Sequence, residues 1–314
     1  MNRVRYRYPA PLALLALLAL AQVGHAQTDL FDDNPFPHLL AGFVTLALTE
    51  EISTATFDVD NGGGAASDTR FRTLRLPWHH EFDVGERAQA LRVEAVLGIV
   101  SADDGVELST PSGLAAVDED WSAFGARVGV GWNHPLGRGW RVRPGVGLGL
   151  SYLENSATYN AAGTSELAPL LDGVFVNWDA WALTTSATLT LELPRERDHL
   201  AVGAIGTYAL SSTDIFEATS DVQEGSDSSR NFLVRADVGA PWVALGEDAA
   251  WDAFAGYAHF DASAADLLGF DELFEFGAGV TFRVLEKLPP IRVGAAWIEG
   301  EDVSGWSLGF SLAP

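Results

Sequence analysis

Charged side chains repeated at every second residue are the most chemically suggestive feature of this sequence. Arg75, Arg92, Glu94, Arg127, Arg141, Arg143, Glu192, Arg235, Asp237, Glu275, Arg283 and Arg292 all stand in runs where a charged or tiny residue alternates with a large apolar one. Eight are arginines and four are acids. Arginine presents a planar fork that grips a carboxylate through two bonds, so such a set can crosslink neighbouring strands. The alternative is a pore whose net positive lining favours anions. The width of the enclosed space separates the two. Catalytic constellations are sparse. Tyr257, His259, Asp261 and Ser263 share one face of an extended segment. A hydrolase needs nucleophile, base and carboxylate within hydrogen-bond reach, whereas steps of roughly 6.6 Å separate alternate residues of a strand. Asp58-Val59-Asp60-Asn61-Gly62 opens like a calcium loop, but its fifth position is Gly62 and its twelfth is Thr69 rather than a glutamate. The chain has no cysteine, which removes thiol chemistry and Cys-ligated metals. No catalytic residue, cofactor or metal site is therefore expected.

The elements that must position these charges read as strands. In residues 303–314, Trp306, Leu308, Phe310 and Leu312 fall on one face and Gly305, Ser307, Gly309 and Ser311 on the other. The same two-faced pattern recurs near 38–49, 70–83, 89–101, 121–133, 139–153, 178–193, 199–211, 230–243, 251–260, 273–285 and 290–298. Long connectors (50–69, 102–120, 154–177, 212–229, 261–272) alternate with short ones (84–88, 134–138, 194–198, 244–250, 286–289). An outer-membrane barrel has short periplasmic turns and longer external loops, and an even strand count places both termini in the periplasm. The rhythm breaks only at 299–302, a short connector where a long one is due. Pro77 and Pro144 lie inside proposed strands, where each removes a ladder hydrogen bond. Trp132, Trp140, Tyr152, Trp181, Trp242, Trp251 and Trp297 fall near strand ends, where interfacial aromatic girdles belong. The fold class expected is all-β: a transmembrane antiparallel barrel of about 12 strands.

Residues 1–26 read as a cleaved secretory signal peptide: Arg3, Arg5 and Arg7, an apolar run from Leu12 to Ala21, and Gly24-His25-Ala26 before the cut. Residues 27–37 form a short periplasmic segment, and 38–314 the barrel. The formal charge is −24, and removing the three signal arginines leaves 16 cations against 43 acids, a net of −27. Such a chain repels nucleic acid. Acids crowd 102–120 and 212–229. They are either a solvated acidic face or weak divalent-cation sites that bridge these loops to lipopolysaccharide.

Gly305, Leu308 and Phe310 resemble the C-terminal insertion signal of outer-membrane barrels, which implies delivery by the barrel-insertion machinery; Val303 and the trailing Ser311-Leu312-Ala313-Pro314 depart from that pattern. The run Gly149-Leu150-Ser151-Tyr152-Leu153-Glu154-Asn155, followed by Leu170-Leu171-Asp172-Gly173-Val174-Phe175-Val176-Asn177-Trp178-Asp179-Ala180-Trp181, resembles the solitary outer-membrane autotransporter-type barrels of Gram-negative bacteria. That resemblance supplies no catalytic residues, and residues 27–37 are too few for a passenger; a monomeric barrel in outer-membrane lipid and lipopolysaccharide, without a passenger and without enzyme activity, is expected. A small-solute or ion channel with an Arg-rich lumen is the second reading, and an outer-membrane lipid hydrolase the third.

Overall fold

A chain that leaves no sheet edge in lipid must close its sheet, because an unpaired backbone group in hydrocarbon costs several kcal/mol. The computed structural model describes residues 54–59, 69–84, 89–110, 113–159, 172, 176–193, 201–219, 225–242, 249–260, 270–283 and 290–312. It holds twelve strands: β1 (Thr54–Val59), β2 (Thr69–Asp83), β3 (Ala90–Thr110), β4 (Gly113–Gly137), β5 (Trp140–Tyr159), β6 (Trp178–Leu193), β7 (Ala201–Ala218), β8 (Gly225–Pro241), β9 (Ala250–Phe260), β10 (Glu272–Phe282), β11 (Ile291–Glu299) and β12 (Val303–Leu312). Each pairs antiparallel with its sequence neighbours, and β1 closes the barrel on β12 from Thr54↔Leu308 to Val59↔Val303. We call the end where β12 finishes the near end and the opposite one the far end.

Three expectations need correction. The first described strand is β1, inside what reads as a connector at 50–69; the expected strand 38–49 lies outside the described residues. The acid-rich connectors 102–120 and 212–229 are largely strand: β3 and β4 stay paired out to Thr110↔Gly113, and β7 and β8 out to Ile215↔Gly225. β5 likewise runs to Tyr159. Two irregularities have clear causes. Pro144 keeps its place beside Leu189 of β6, while the ladder to β4 lapses opposite it and resumes at His134↔Val142. The near-end turn that follows β4 runs through Gly137, Arg138 and Gly139 with φ of 98°, 55° and 84°, a left-handed stretch that the two flanking glycines adopt without steric cost.

The outward face carries the apolar band. On β6, Trp181, Leu183, Leu189 and Leu191 point outward and lie 37–49% exposed. Ten residues separate the first from the last, which at ~3.4 Å per residue and a tilt of about 40° spans roughly 26 Å of height, the thickness of an outer-membrane apolar band. Aromatic rings mark its far-end edge in contacting pairs: Tyr152–Trp181 at 5.1 Å, Tyr257–Phe274 at 5.1 Å and Trp297–Trp306 at 4.8 Å between centroids. Their polar tips reach away from the band. The Tyr152 hydroxyl donates to Asp179 (3.1 Å), the Tyr257 hydroxyl to Glu272 (2.9 Å), and the Trp297 indole to Glu299. An amphipathic ring with its body in lipid and its tip in water fits this boundary.

Candidate functional site: the barrel lumen

The side chains that alternate with the apolar band point into the lumen, and three groups of them at band height are ion-paired. Glu94 of β3 sits between two arginines, Arg92 on its own strand (3.6 Å) and Arg127 of β4 (3.4 Å). Arg143 of β5, 4% exposed, reaches Glu192 of β6 at 3.4 Å. Asp252 of β9, 3% exposed, is held by Arg292 of β11 through two nitrogens, Nε–Oδ1 at 3.0 Å and Nη2–Oδ2 at 2.6 Å. The Arg235 guanidinium lies 3.7 Å from the centre of the Phe254 ring, a cation–π stack worth more where water is excluded. Between these groups, β6, β7 and β8 present hydroxyl pairs: Thr184–Thr213 at 3.0 Å, Thr190–Thr207 at 3.1 Å and Ser211–Ser229 at 2.6 Å.

The inward glycines are the seats of these long side chains. A Cβ on Gly129 would stand 2.7 Å from Glu94 Oε1, and one on Gly147 would stand 2.7 Å from Arg127 Nε. One on Gly279 would stand 2.8 Å from Arg292 Nη2. Each long side chain lies flat along the wall over a glycine of the facing strand. The small-residue face read from the sequence is therefore the complement of the charged one.

The expected charged set thus divides by position. Arg75, Arg92, Glu94, Arg127, Arg143, Glu192, Arg235, Asp237, Glu275 and Arg292 stand at inward positions of their strands. Arg141 shares that inward face, opposite Glu192, but is exposed at the near-end mouth, and Arg283 is exposed just past β10. Sequence reading missed Asp252, the acid most fully buried in this belt. The period of β9 places Asp252 on one face with Ala250, Phe254 and Gly256, but nothing in it points to Arg292 as a partner. It also missed Glu81, which accepts from Asn133 Nδ2 at 2.7 Å.

Towards the far end the lumen changes character. Phe57, Phe71, Val100, Leu153, Trp178, Phe260, Phe270, Ile298 and Val303 point inward, are 0–7% exposed and form one cluster. Phe57 stacks on Phe71 at 5.1 Å and meets Phe270 edge-on at 5.9 Å, and Phe270 meets Phe260 at 5.9 Å. Trp121 and Trp178 meet edge-on at 5.5 Å. Phe270 lies just before β10, so its contact with β1 spans β11 and β12. At this level the outward positions are polar: Arg70 and Arg72, Glu154, Asp179 and Glu272. The two faces of the sheet have exchanged polarity.

Beyond the apolar layer the inward Glu119 accepts from Asn155 Nδ2 at 3.2 Å, and burial pushes its carboxyl above the usual range. Asp172 accepts from the Tyr159 hydroxyl and from Asn177 Nδ2, both at 2.6 Å. Burial first and Asp172 second push that phenol up to about 12. Asn177, at φ 57°, also bonds Ala157 and Asn155, pinning the chain between β5 and β6.

His259 faces outward, 4.0 Å from Glu272, the carboxylate that also takes the Tyr257 hydroxyl; Asp261 and Ser263 lie outside the described residues. Asp58 is engaged by Arg70 at 2.7 Å. Gly305 faces inward, where a Cβ would collide with Thr56 O and Phe57 Cβ, while Leu308 and Phe310 face outward at 64% and 52% exposure.

Comparison with known proteins agrees with this architecture. The translocator domain of the autotransporter NalP from Neisseria meningitidis superposes with a TM-score of 0.50 at 13% identity, covering 94% of this chain and 95% of that one. The transport unit of the autotransporter AIDA-I from Escherichia coli gives a TM-score of 0.50 at 12% identity, over 90% and 99%. At these identities the likeness is one of fold alone. A search of curated protein sequences returned no match. Residues 38–311 match the solitary outer membrane autotransporter beta-barrel domain. With that match over nearly its whole length and a closed twelve-stranded barrel to carry it, this chain belongs to the solitary outer-membrane autotransporter β-barrel family and is an integral protein of the bacterial outer membrane.

Proposed function

We propose that the protein is a sealed structural barrel that holds long, acid-rich hairpins outside the cell, rather than a channel or an enzyme. The carrying observation is the stacking of an apolar layer, Phe57 with Phe71, Phe260 and Phe270, above an ion-paired belt. A hydrophobic constriction opposes ion passage by excluding water, and arginines bound to carboxylates offer no net field to draw anions in. In this reading the near end and both termini are periplasmic, and the far-end hairpins face the medium. Gly305, Leu308 and Phe310 serve the insertion machinery. Planar-bilayer recording of the purified barrel tests the reading: no unitary steps are expected, and steady, anion-selective steps would replace it with the channel.

A further inference from the structure

We propose that the outward pair Arg70 and Arg72 on β2, held by Asp58 of β1 and Asp103 of β3, is a docking site for the phosphorylated headgroup of an outer-leaflet glycolipid. The site rests on the orientation above, with the far end outside. Both arginines point outward: Arg70 stands opposite Asp58 in register, and Arg72 opposite Ser101. They lie directly above the outward Leu74, Leu76 and Trp78, so they sit where the apolar band of β2 gives way to water. Their side chains are 55% and 53% exposed. Arg70 is held through Nε at 2.7 Å and Arg72 through Nη2 at 2.8 Å. A guanidinium has five donors in a fixed fork, and the two carboxylates orient these forks at the membrane boundary.

Charge complementarity selects the occupant. Elsewhere the first outward polar residue above the band is an acid on β5, β6, β10 and β11: Glu154, Asp179, Glu272 and Glu299. A phosphate is repelled there. On β2 it meets two neighbouring arginines, each oriented by one aspartate, and the next outward acid, Asp120 of β4, stands beyond Asp103 on the side away from the arginines. Arg230 on β8 is a single outward arginine with no second one beside it on that face. An anionic headgroup is therefore steered to the β1–β3 sector, its phosphate on the forks and its acyl chains along Leu74 and Leu76.

The test uses the full barrel in detergent with EDTA, which removes cation bridging by the acid-rich hairpins. Binding of diphosphorylated lipid A and of the same lipid stripped of phosphate is compared by native mass spectrometry. A preference of roughly tenfold or more for the phosphorylated lipid is expected, from charge-assisted hydrogen bonds. Arg70→Gln with Arg72→Gln should abolish that preference while leaving heat-modifiable gel mobility unchanged. Equal binding of the two lipids, an undiminished preference in the variant, or full competition by equimolar inorganic phosphate would overturn the site. Should the double variant not fold, a photo-crosslinker at Ser101 decides: it must capture the phosphorylated lipid in preference to the stripped one. Orientation is checked separately. The chain lacks cysteine, so a cysteine placed in the β3–β4 hairpin should react with an impermeant maleimide on intact cells. Failure there refutes the orientation, whereas failure of lipid discrimination in detergent refutes only the docking site.

Discussion

Breaking the Arg292–Asp252 pair should destabilise the barrel far more than breaking an ion pair of similar length on the outside. Asp252 has a side chain 4% exposed and receives Nε and Nη2 of Arg292. Removal of one partner from such a pair costs about 3–5 kcal/mol, because it leaves the other charge buried and uncompensated. Arg292 keeps 20% of its side chain exposed and lies 5.8 Å from the Phe254 ring, so Asp252→Ala should fall at the lower end, about 3 kcal/mol. That is roughly a hundredfold in the folding constant. Arg70–Asp58 is as short, at 2.7 Å, but half exposed; Asp58→Ala should cost about 0–1 kcal/mol. Reversible urea unfolding in lipid vesicles, read by tryptophan fluorescence, measures both. Asp252→Ala with Arg292→Met should lose less than the two single changes added together, since the orphaned charge is gone. An Asp252→Ala cost below that of Asp58→Ala, or strict additivity in the cycle, would refute the view that the belt acts as a set of desolvated crosslinks.

Four further measurements probe other parts of the lumen. Phe57→Ala, which empties the centre of the apolar layer, should cost about 3–5 kcal/mol in the same unfolding assay. Gly277→Val drives a side chain into the Phe254 ring and the Ala296 Cβ and should cost about 1–3 kcal/mol as overpacking. Burial raises the Glu119 carboxyl on folding, so the folded state binds its proton more tightly. Its stabilising contribution is complete below the ordinary glutamate range and is lost as pH rises through the folded value; Glu119→Gln should flatten that part of the stability profile. The Tyr159 phenol, at about 12 in the folded barrel, should ionise later than the other accessible tyrosines in an ultraviolet titration. Stability from it is full below pH 10 and lost through pH 12, and Asp172→Asn should move the titration downward.

The sequence was most legible where lipid imposes a single rule. Between the girdles, large apolar residues must face out and small or charged ones in, so the bounds of β6 and the inward Arg127, Arg143 and Arg292 could be read from period alone. Legibility failed where the strands leave the membrane. Thr54–Val59 carries Phe57 and Val59 inward with Asp58 outward, the pattern of a soluble barrel rather than of a lipid-facing strand. In 102–120 a density of acids reads as a solvated loop, yet Asp103 and Asp120 stand opposite each other in the β3–β4 ladder. Period cannot reveal such a change of solvent, because alternation persists while its phase reverses. Asp252 was missed for a different reason: a lone acid among the alanines of β9 gives no hint that Arg292, two strands away, will cross Gly279 to reach it.

That reversal of phase explains why the lumen has two storeys. At band height the outer face already satisfies the apolar residues, and the inner face can be polar provided its charges are paired. Glycine seats let those pairs lie flat, so twelve strands enclose a charged belt without forcing long side chains into one another. Above the band the outer face meets water and can take Arg70, Glu154 and Asp179. The strands then have only the interior in which to bury phenylalanine and tryptophan, and burial there is the main driving force that keeps strands as long as β3 and β4 paired beyond the lipid. The apolar layer is therefore a consequence of extending the strands past the membrane. A barrel of this family with shorter far-end hairpins would lose the need for it, and its lumen would open first at the level of Phe57 and Phe270.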